Sequence, residues 1–180
     1  WGLTTPSQER TLQAFWLEQL GPDAPRSREV SPYGGFFVLG ALYRHGHAGL
    51  AEDFMRRYWA PMLADPEGTL WESFDRHFGT SSHAWSAAPT YYLSTQVLGV
   101  PLGYPEPADP ERMVIAPQAE SLSWARGRVP HPRGVIDVEW RVEGDLLRLS
   151  VSAPEGVAYR VSPRGRLAAL RLEVNGQLQE

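Results

Sequence analysis

Trp71-Glu72, with His83 eleven residues and Trp85 thirteen residues beyond the glutamate, are the residues of this 180-residue chain whose types and spacing could do chemistry. A carboxylate among aromatic rings and an imidazole is half of what cleavage of a glycosidic bond requires. That reaction uses two carboxyl groups flanking the scissile bond, one as acid and the other as base or nucleophile. Sugar rings present apolar C–H faces and hydroxyl edges, so sugar sites combine aromatic walls with hydrogen-bonding side chains. Asp75 and His77 share the stretch, but a surface or capping role suits each better. A metal held by His77 and His83 would lack an evident third ligand. The pattern alone is weak, because loop carboxylates usually face solvent and tryptophans usually fill cores.

The stretch from 64 to 85 reads as loop, and helices must position it. Thr5-Pro6-Ser7-Gln8 combines an N-cap, a proline at the first helical position and a capping-box glutamine. Leu12, Phe15, Trp16 and Leu20 follow at helical spacing until Gly21-Pro22 stops the helix. Ser31-Pro32 repeats the start signal, and Phe36, Phe37, Val38, Leu39 and Tyr43 form a broad apolar surface that ends at His45-Gly46. A third helix is expected from about His47 to Leu63, with Leu50, Phe54, Tyr58 and Met62 on one side. A fourth begins from a cap at Ser86, which puts Pro89 in its first turn, and Gly99 closes it. Helices joined by short loops should pack as antiparallel hairpins.

Pro101, Pro105, Pro107 and Pro110 then make a stiff connector, after which the hydrophobic period changes from 3.6 to 2. Runs at 113–116, 122–129, 135–142, 146–152, 157–161 and 170–174 have strand character, separated by glycine and proline. Strands at this spacing read as an antiparallel β-sandwich. Val135-Ile136-Asp137-Val138-Glu139-Trp140 has the alternation of a half-buried strand, with Asp137 and Glu139 on a solvated face. The fold class expected is therefore α+β in two segregated domains, residues 1–102 and 103–180.

Composition narrows the function classes. The net charge is −4, and the 17 basic residues are all arginine and scattered, so no basic stripe exists for nucleic acid. No apolar run has the length of a membrane-spanning helix, and no signal peptide is visible. There is no cysteine, which removes disulfides and thiolate metal sites without fixing a compartment. The chain begins with Trp1 rather than Met, so the natural start is expected elsewhere and the localisation stays open.

The motifs around the loop are similar to a known family. Gly68-Thr69-Leu70-Trp71-Glu72-Ser73-Phe74, followed by Ser82-His83-Ala84-Trp85-Ser86-Ala87-Ala88-Pro89-Thr90-Tyr91-Tyr92-Leu93-Ser94, resembles the C-terminal part of the bacterial α-L-rhamnosidases. Ser31-Pro32-Tyr33, Arg57-Tyr58-Trp59-Ala60-Pro61-Met62-Leu63 and Arg126-Gly127-Arg128-Val129-Pro130-His131-Pro132-Arg133-Gly134 extend the likeness over nearly the whole chain. The resemblance implies a partial (α/α)6 six-hairpin toroid followed by a β-sandwich, taken from an inverting glycosidase that releases terminal α-L-rhamnose. It makes Glu72 the general base and His83 a contact of the bound sugar. Trp71 and Trp85 become either pocket walls or residues buttressing the loop. The general acid would lie in a missing N-terminal part of the same polypeptide, and no metal or organic cofactor is required. Only ten residues separate Glu72 from His83, fewer than in many family members, which would reshape the pocket. By itself the chain is expected to be inactive, and to cover its exposed apolar strips (Trp16, Phe36 and Phe37 among them) by self-association or with a companion segment. Its partners would be a rhamnose-containing carbohydrate or glycoside, with no nucleic acid and no membrane. The alternatives are a six-hairpin glycosidase for another sugar and a non-catalytic carbohydrate-binding or structural module.

Overall fold

The computed structural model describes residues 5–20, 30–102 and 112–179. The Gly21-Pro22 stop, the prolines at 105, 107 and 110 and the Trp16 side chain lie outside the described residues. Helix α1 spans Pro6–Leu20, α2 Pro32–Arg44, α3 Ala48–Leu63 and α4 Ala88–Tyr92. A 3₁₀ turn at Ala84–Ala87 leads into α4, and a π-helical turn at Leu93–Val97 continues it. None of these helices is long and apolar enough to cross a membrane.

The caps behave as their residue types require. Gln8 N–H reaches Thr5 Oγ1 at 3.4 Å while Thr5 N–H donates to Gln8 Oε1 at 2.8 Å, the reciprocal box that satisfies two orphan donors. Ser31 Oγ accepts from Gly34 N–H at 3.2 Å, with Pro32 in the first turn of α2. Ser86 does not cap. It is fully buried inside the 3₁₀ turn, where its hydroxyl donates to the Trp71 carbonyl and its carbonyl accepts from Trp59 Nε1–H at 2.7 Å. A serine before an apolar run has the same local signature in both roles; only the neighbouring loop decides between them.

Leu39, Leu42 and Tyr43 of α2 pack with Phe54, Tyr58, Trp59 and Met62 of α3 and with Tyr92 of α4 in one apolar cluster. Close approach fixes the register of α2. A Cβ on Gly35 would lie 2.7 Å from the Trp59 ring, and Tyr92 O–H crosses to the Phe36 carbonyl at 2.7 Å.

In the second half, strands β1 (Arg112–Ile115) and β5 (Ala158–Val161) pair with each other. A five-stranded sheet runs in the order β2-β3-β4-β6-β7, where β2 is Trp124–His131, β3 Gly134–Glu143, β4 Leu146–Ser152, β6 Arg171–Val174 and β7 Gln177–Leu178. Ile136, Val138 and Trp140 are buried while Asp137 and Glu139 face outward, paired with Arg128 and Arg126 directly opposite on β2. Both sheets feed one core containing Met113, Ile115, Val138, Trp140, Leu149 and Leu167.

The expectation of a wholly antiparallel arrangement fails at two places: β1 with β5 and β4 with β6 run parallel. After β4 the chain leaves the larger sheet, passes through β5 and a 3₁₀ turn at Gly165–Ala169, and returns beside β4 in the same direction. Alternation in sequence tells which face a residue occupies, not which way the neighbouring strand runs.

The two halves interlock. Val97, Leu98 and Val100 belong to the core of the sheets, Trp140 Nε1–H donates to the Val97 carbonyl at 2.8 Å, and Gln118 N–H donates to the Gln96 carbonyl at 2.8 Å. Gly99 sits between them with φ +76°, where a Cβ would stand 2.2 Å from Pro117 N. Only glycine fits there. From α3, the buried Glu52 carboxylate accepts from Glu120 N–H at 2.7 Å, from Ser121 N–H at 2.8 Å and from the Ser121 hydroxyl.

Candidate active site

The loop carrying Glu72 is fastened to the helical core at several points. Phe74 inserts edge-on against Trp59 and packs on Tyr58 and Phe54. Arg76 bridges Asp65 at 3.1 Å and Glu67 at 2.9 Å, and its guanidinium lies 5.4 Å from the Trp71 ring. Asp75 accepts from His77 N–H at 3.0 Å, and Phe78 N–H donates to the Asp75 carbonyl at 3.0 Å. Asp75 is thus a turn residue, in keeping with the surface or capping role expected of it, and His77 is exposed. His83 N–H donates to the Leu70 carbonyl at 2.8 Å, and the Thr69 hydroxyl donates to the Ser81 carbonyl. The two ends of the loop are thereby laid side by side.

That pairing brings Glu72 and His83 together. Glu72 N–H donates to the Thr80 carbonyl at 3.0 Å, while Thr80 returns its own N–H to Glu72 Oε2 at 2.8 Å and its hydroxyl to the same oxygen at 3.1 Å. His83 Nδ1 stands 3.7 Å from Glu72 Oε2. The Thr80 N–H and then its hydroxyl hold the Glu72 carboxyl below the ordinary glutamate range, outweighing an upward push from desolvation, and the imidazole opposite adds the smallest contribution. The glutamate is ionised at neutral pH and its second oxygen, Oε1, accepts from no described residue. Gly79 lets the carboxylate lie close: φ is +78°, and a Cβ there would fall 2.7 Å from Oε2.

Trp85 joins the same face. Its ring centroid is 3.9 Å from that of His83, and its Nε1–H donates to the Glu72 carbonyl at 3.4 Å. Trp71 does not join it. Its ring is buried in the helical cluster beneath the Arg76 guanidinium, where it supports the loop from below, and its ring N–H has no hydrogen-bond partner among the described residues. Two residues that were not singled out from sequence complete the arrangement. Tyr33, in the first turn of α2, places its ring 5.5 Å from Trp85, and Thr80 bridges Glu72 and His83. Tyr33 belongs to the Ser31-Pro32-Tyr33 motif, but nothing local assigns either residue to the site, because their place in it comes from a contact across the loop or from another helix.

The result is a carboxylate and an imidazole beside a shelf of exposed aromatic rings, open to solvent on one side. An apolar concavity of about 350 Å³ lies elsewhere, between α1 and α2, lined by Leu12, Leu20, Phe37, Val38 and Leu42.

Residues 111–171 match the family model of the bacterial alpha-L-rhamnosidase C-terminal domain. Over 96% of its length the chain also superposes on the crystal structure of a GH78 family rhamnosidase of Bacillus sp. GL1, with 32% identity and a TM-score of 0.75. The chain matches the C-terminal part of a bacterial α-L-rhamnosidase. An α-L-rhamnosidase from Dictyoglumus thermophilum shares the fold at a TM-score of 0.70 and 15% identity, over 98% of the chain. The chain spans 18% and 22% of the lengths of these two rhamnosidases. No curated protein matches the sequence. The likeness to the Bacillus rhamnosidase runs through the loop of Glu72 and His83 as well as the sheets, since it covers almost the whole chain.

Proposed function

We propose that this chain is the C-terminal part of an inverting glycoside hydrolase that releases terminal α-L-rhamnose, with Glu72 as its general base. The helices would be the closing part of a six-hairpin toroid and the sheets a C-terminal β-sandwich domain, divided near residue 102. The observation that carries the reading is the Glu72–His83 pair. Two side chains picked from spacing and resemblance stand 3.7 Å apart at an aromatic surface, in a chain similar to two solved rhamnosidases.

The chemistry follows from the charge state. A base that takes a proton from water in the transition state must be ionised and held still. Thr80 supplies both conditions by giving two donors to one oxygen of Glu72, which leaves Oε1 for the water. His83 and Trp85 would receive the sugar, the ring face of Trp85 covering C–H surface and the imidazole meeting a hydroxyl. The general acid comes from the upstream part of the polypeptide, and inversion requires it roughly 6.5–9.5 Å from Glu72 so that a water fits between. The chain alone has one carboxyl of the pair and is inactive.

In the full-length enzyme, Glu72→Gln is expected to lower kcat by about 10²–10⁴-fold while KM for an aryl α-L-rhamnoside changes little. A kcat close to that of the unaltered enzyme removes Glu72 from the role. A panel of aryl glycosides assayed with the same protein distinguishes rhamnose from other sugars.

A further inference from the structure

Thr80 stands between Glu72 and His83. Its hydroxyl oxygen is 3.1 Å from Glu72 Oε2, 3.4 Å from the Ser82 carbonyl oxygen and 3.2 Å from His83 Nδ1. A hydroxyl has one proton to donate and two lone pairs to accept with. Of the three neighbours the charged Glu72 oxygen is both the nearest and the strongest acceptor, and without the proton between them two oxygens 3.1 Å apart would repel, so the proton goes to Glu72. That leaves no proton for the imidazole. The third contact is a hydrogen bond when Nδ1 carries the hydrogen and Thr80 Oγ1 accepts it. A neutral imidazole protonated at Nδ1 has its lone pair on Nε2, and no described residue hydrogen-bonds that atom.

We propose that Thr80 is the positioning residue of this site, fixing His83 in its Nδ1–H tautomer so that Nε2 stands as a bare acceptor beside Trp85 for a hydroxyl of a neutral sugar, next to the Glu72 Oε1 that takes the water. A bare acceptor beside a carboxylate favours an O–H donor and repels a carboxylate or phosphate. The choice between a neutral sugar and a uronate or sugar phosphate is thereby set through Thr80. The ligand in this inference rests on the sugar-site reading of Glu72 and His83; the tautomer does not.

Long-range ¹H–¹⁵N spectra of the imidazoles in the 180-residue chain, at a pH where the ring is neutral, read the tautomer directly, with His83 assigned by comparison with His83→Gln. The expected result is a protonated Nδ1 and a pyridine-type Nε2 at His83. Thr80→Ser keeps that pattern, and Thr80→Val, similar in shape but without the hydroxyl, lets the proton move to Nε2. Finding the proton on Nε2 in the unaltered chain overturns the proposal with no variant needed, so a Thr80→Val protein that fails to fold gives it no shelter. An unchanged Nδ1–H ring in folded Thr80→Val overturns it as well. Full turnover by Glu72→Gln in the complete enzyme would instead strike the catalytic reading and leave the tautomer result standing.

Discussion

At Glu72 the proposed base is held by its own loop. Its Oε2 is held by two donors from Thr80, and its Oε1 is left open. A pKa depressed in the folded protein widens the range in which the base is ionised, and it does so on the acid side. The acid limb of kcat/KM for the full-length enzyme is therefore expected below the ordinary glutamate value. Thr80→Val keeps the backbone donor and loses the hydroxyl, so it should move that limb upward. A pH profile that does not respond to this substitution would show that another group sets the limb. Gly79 tests the position of the same carboxylate. In Gly79→Ala the new methyl would lie 2.7 Å from Oε2 in a backbone of positive φ, which costs about 1–2 kcal/mol of strain and pushes the carboxylate away from Thr80. Activity should fall much further than thermal stability, as parallel kinetics and melting curves would show.

Among the elements, α3 does more than pack. Glu52 offers four lone-pair positions to three donors from the turn after β1 and thereby ties the helices to the sheets. A glutamine has one acceptor oxygen, and its amide hydrogens would confront backbone N–H groups. Glu52→Gln is expected to cost roughly 2–3 kcal/mol, because buried donors left unpaired lose their hydration without recompense. Chemical denaturation followed by near-UV signals would measure the loss, and a change below about 0.5 kcal/mol, the level of an ordinary surface substitution, would show that the latch carries little. Phe74 and Arg76 fasten the loop of Glu72 to the same helix and the turn after it, so α3 positions the site on one side and the sheets on the other. The helices were legible in the sequence because caps and apolar spacing are local signals. The role of Glu52 was not, because a glutamate on a helix usually faces water and its partners lie 68 and 69 residues away.

For the molecule as a whole, the unfinished surface is the one around α1 and α2. Leu12, Phe15 and Phe37 are about half exposed beside the apolar concavity between the two helices, whereas Phe36, expected to be exposed with them, is partly covered by Tyr91 and Tyr92. Contiguous apolar surface of this kind usually meets a partner. Sedimentation of the 180-residue chain should show concentration-dependent association, and Leu12→Glu together with Phe37→Glu should abolish it. A monomer at all concentrations before substitution would contradict this.

The sequence by itself determined most of the helical and extended segments and which residues alternate between core and solvent, and its motifs drew attention to one carboxylate and one histidine. These are properties of short windows, where capping, periodicity and motif spacing act within a few residues of each other. The tertiary structure decided the rest. It set the parallel pairing of β4 with β6, which depends on where the chain re-joins the sheet. It buried Trp71 and brought Trp85 to the surface, although both are tryptophans on the same loop. It also recruited Thr80 and Tyr33 to the site, since a hydrogen bond across a loop or an aromatic contact from another helix has no local signature until the core beneath it has formed.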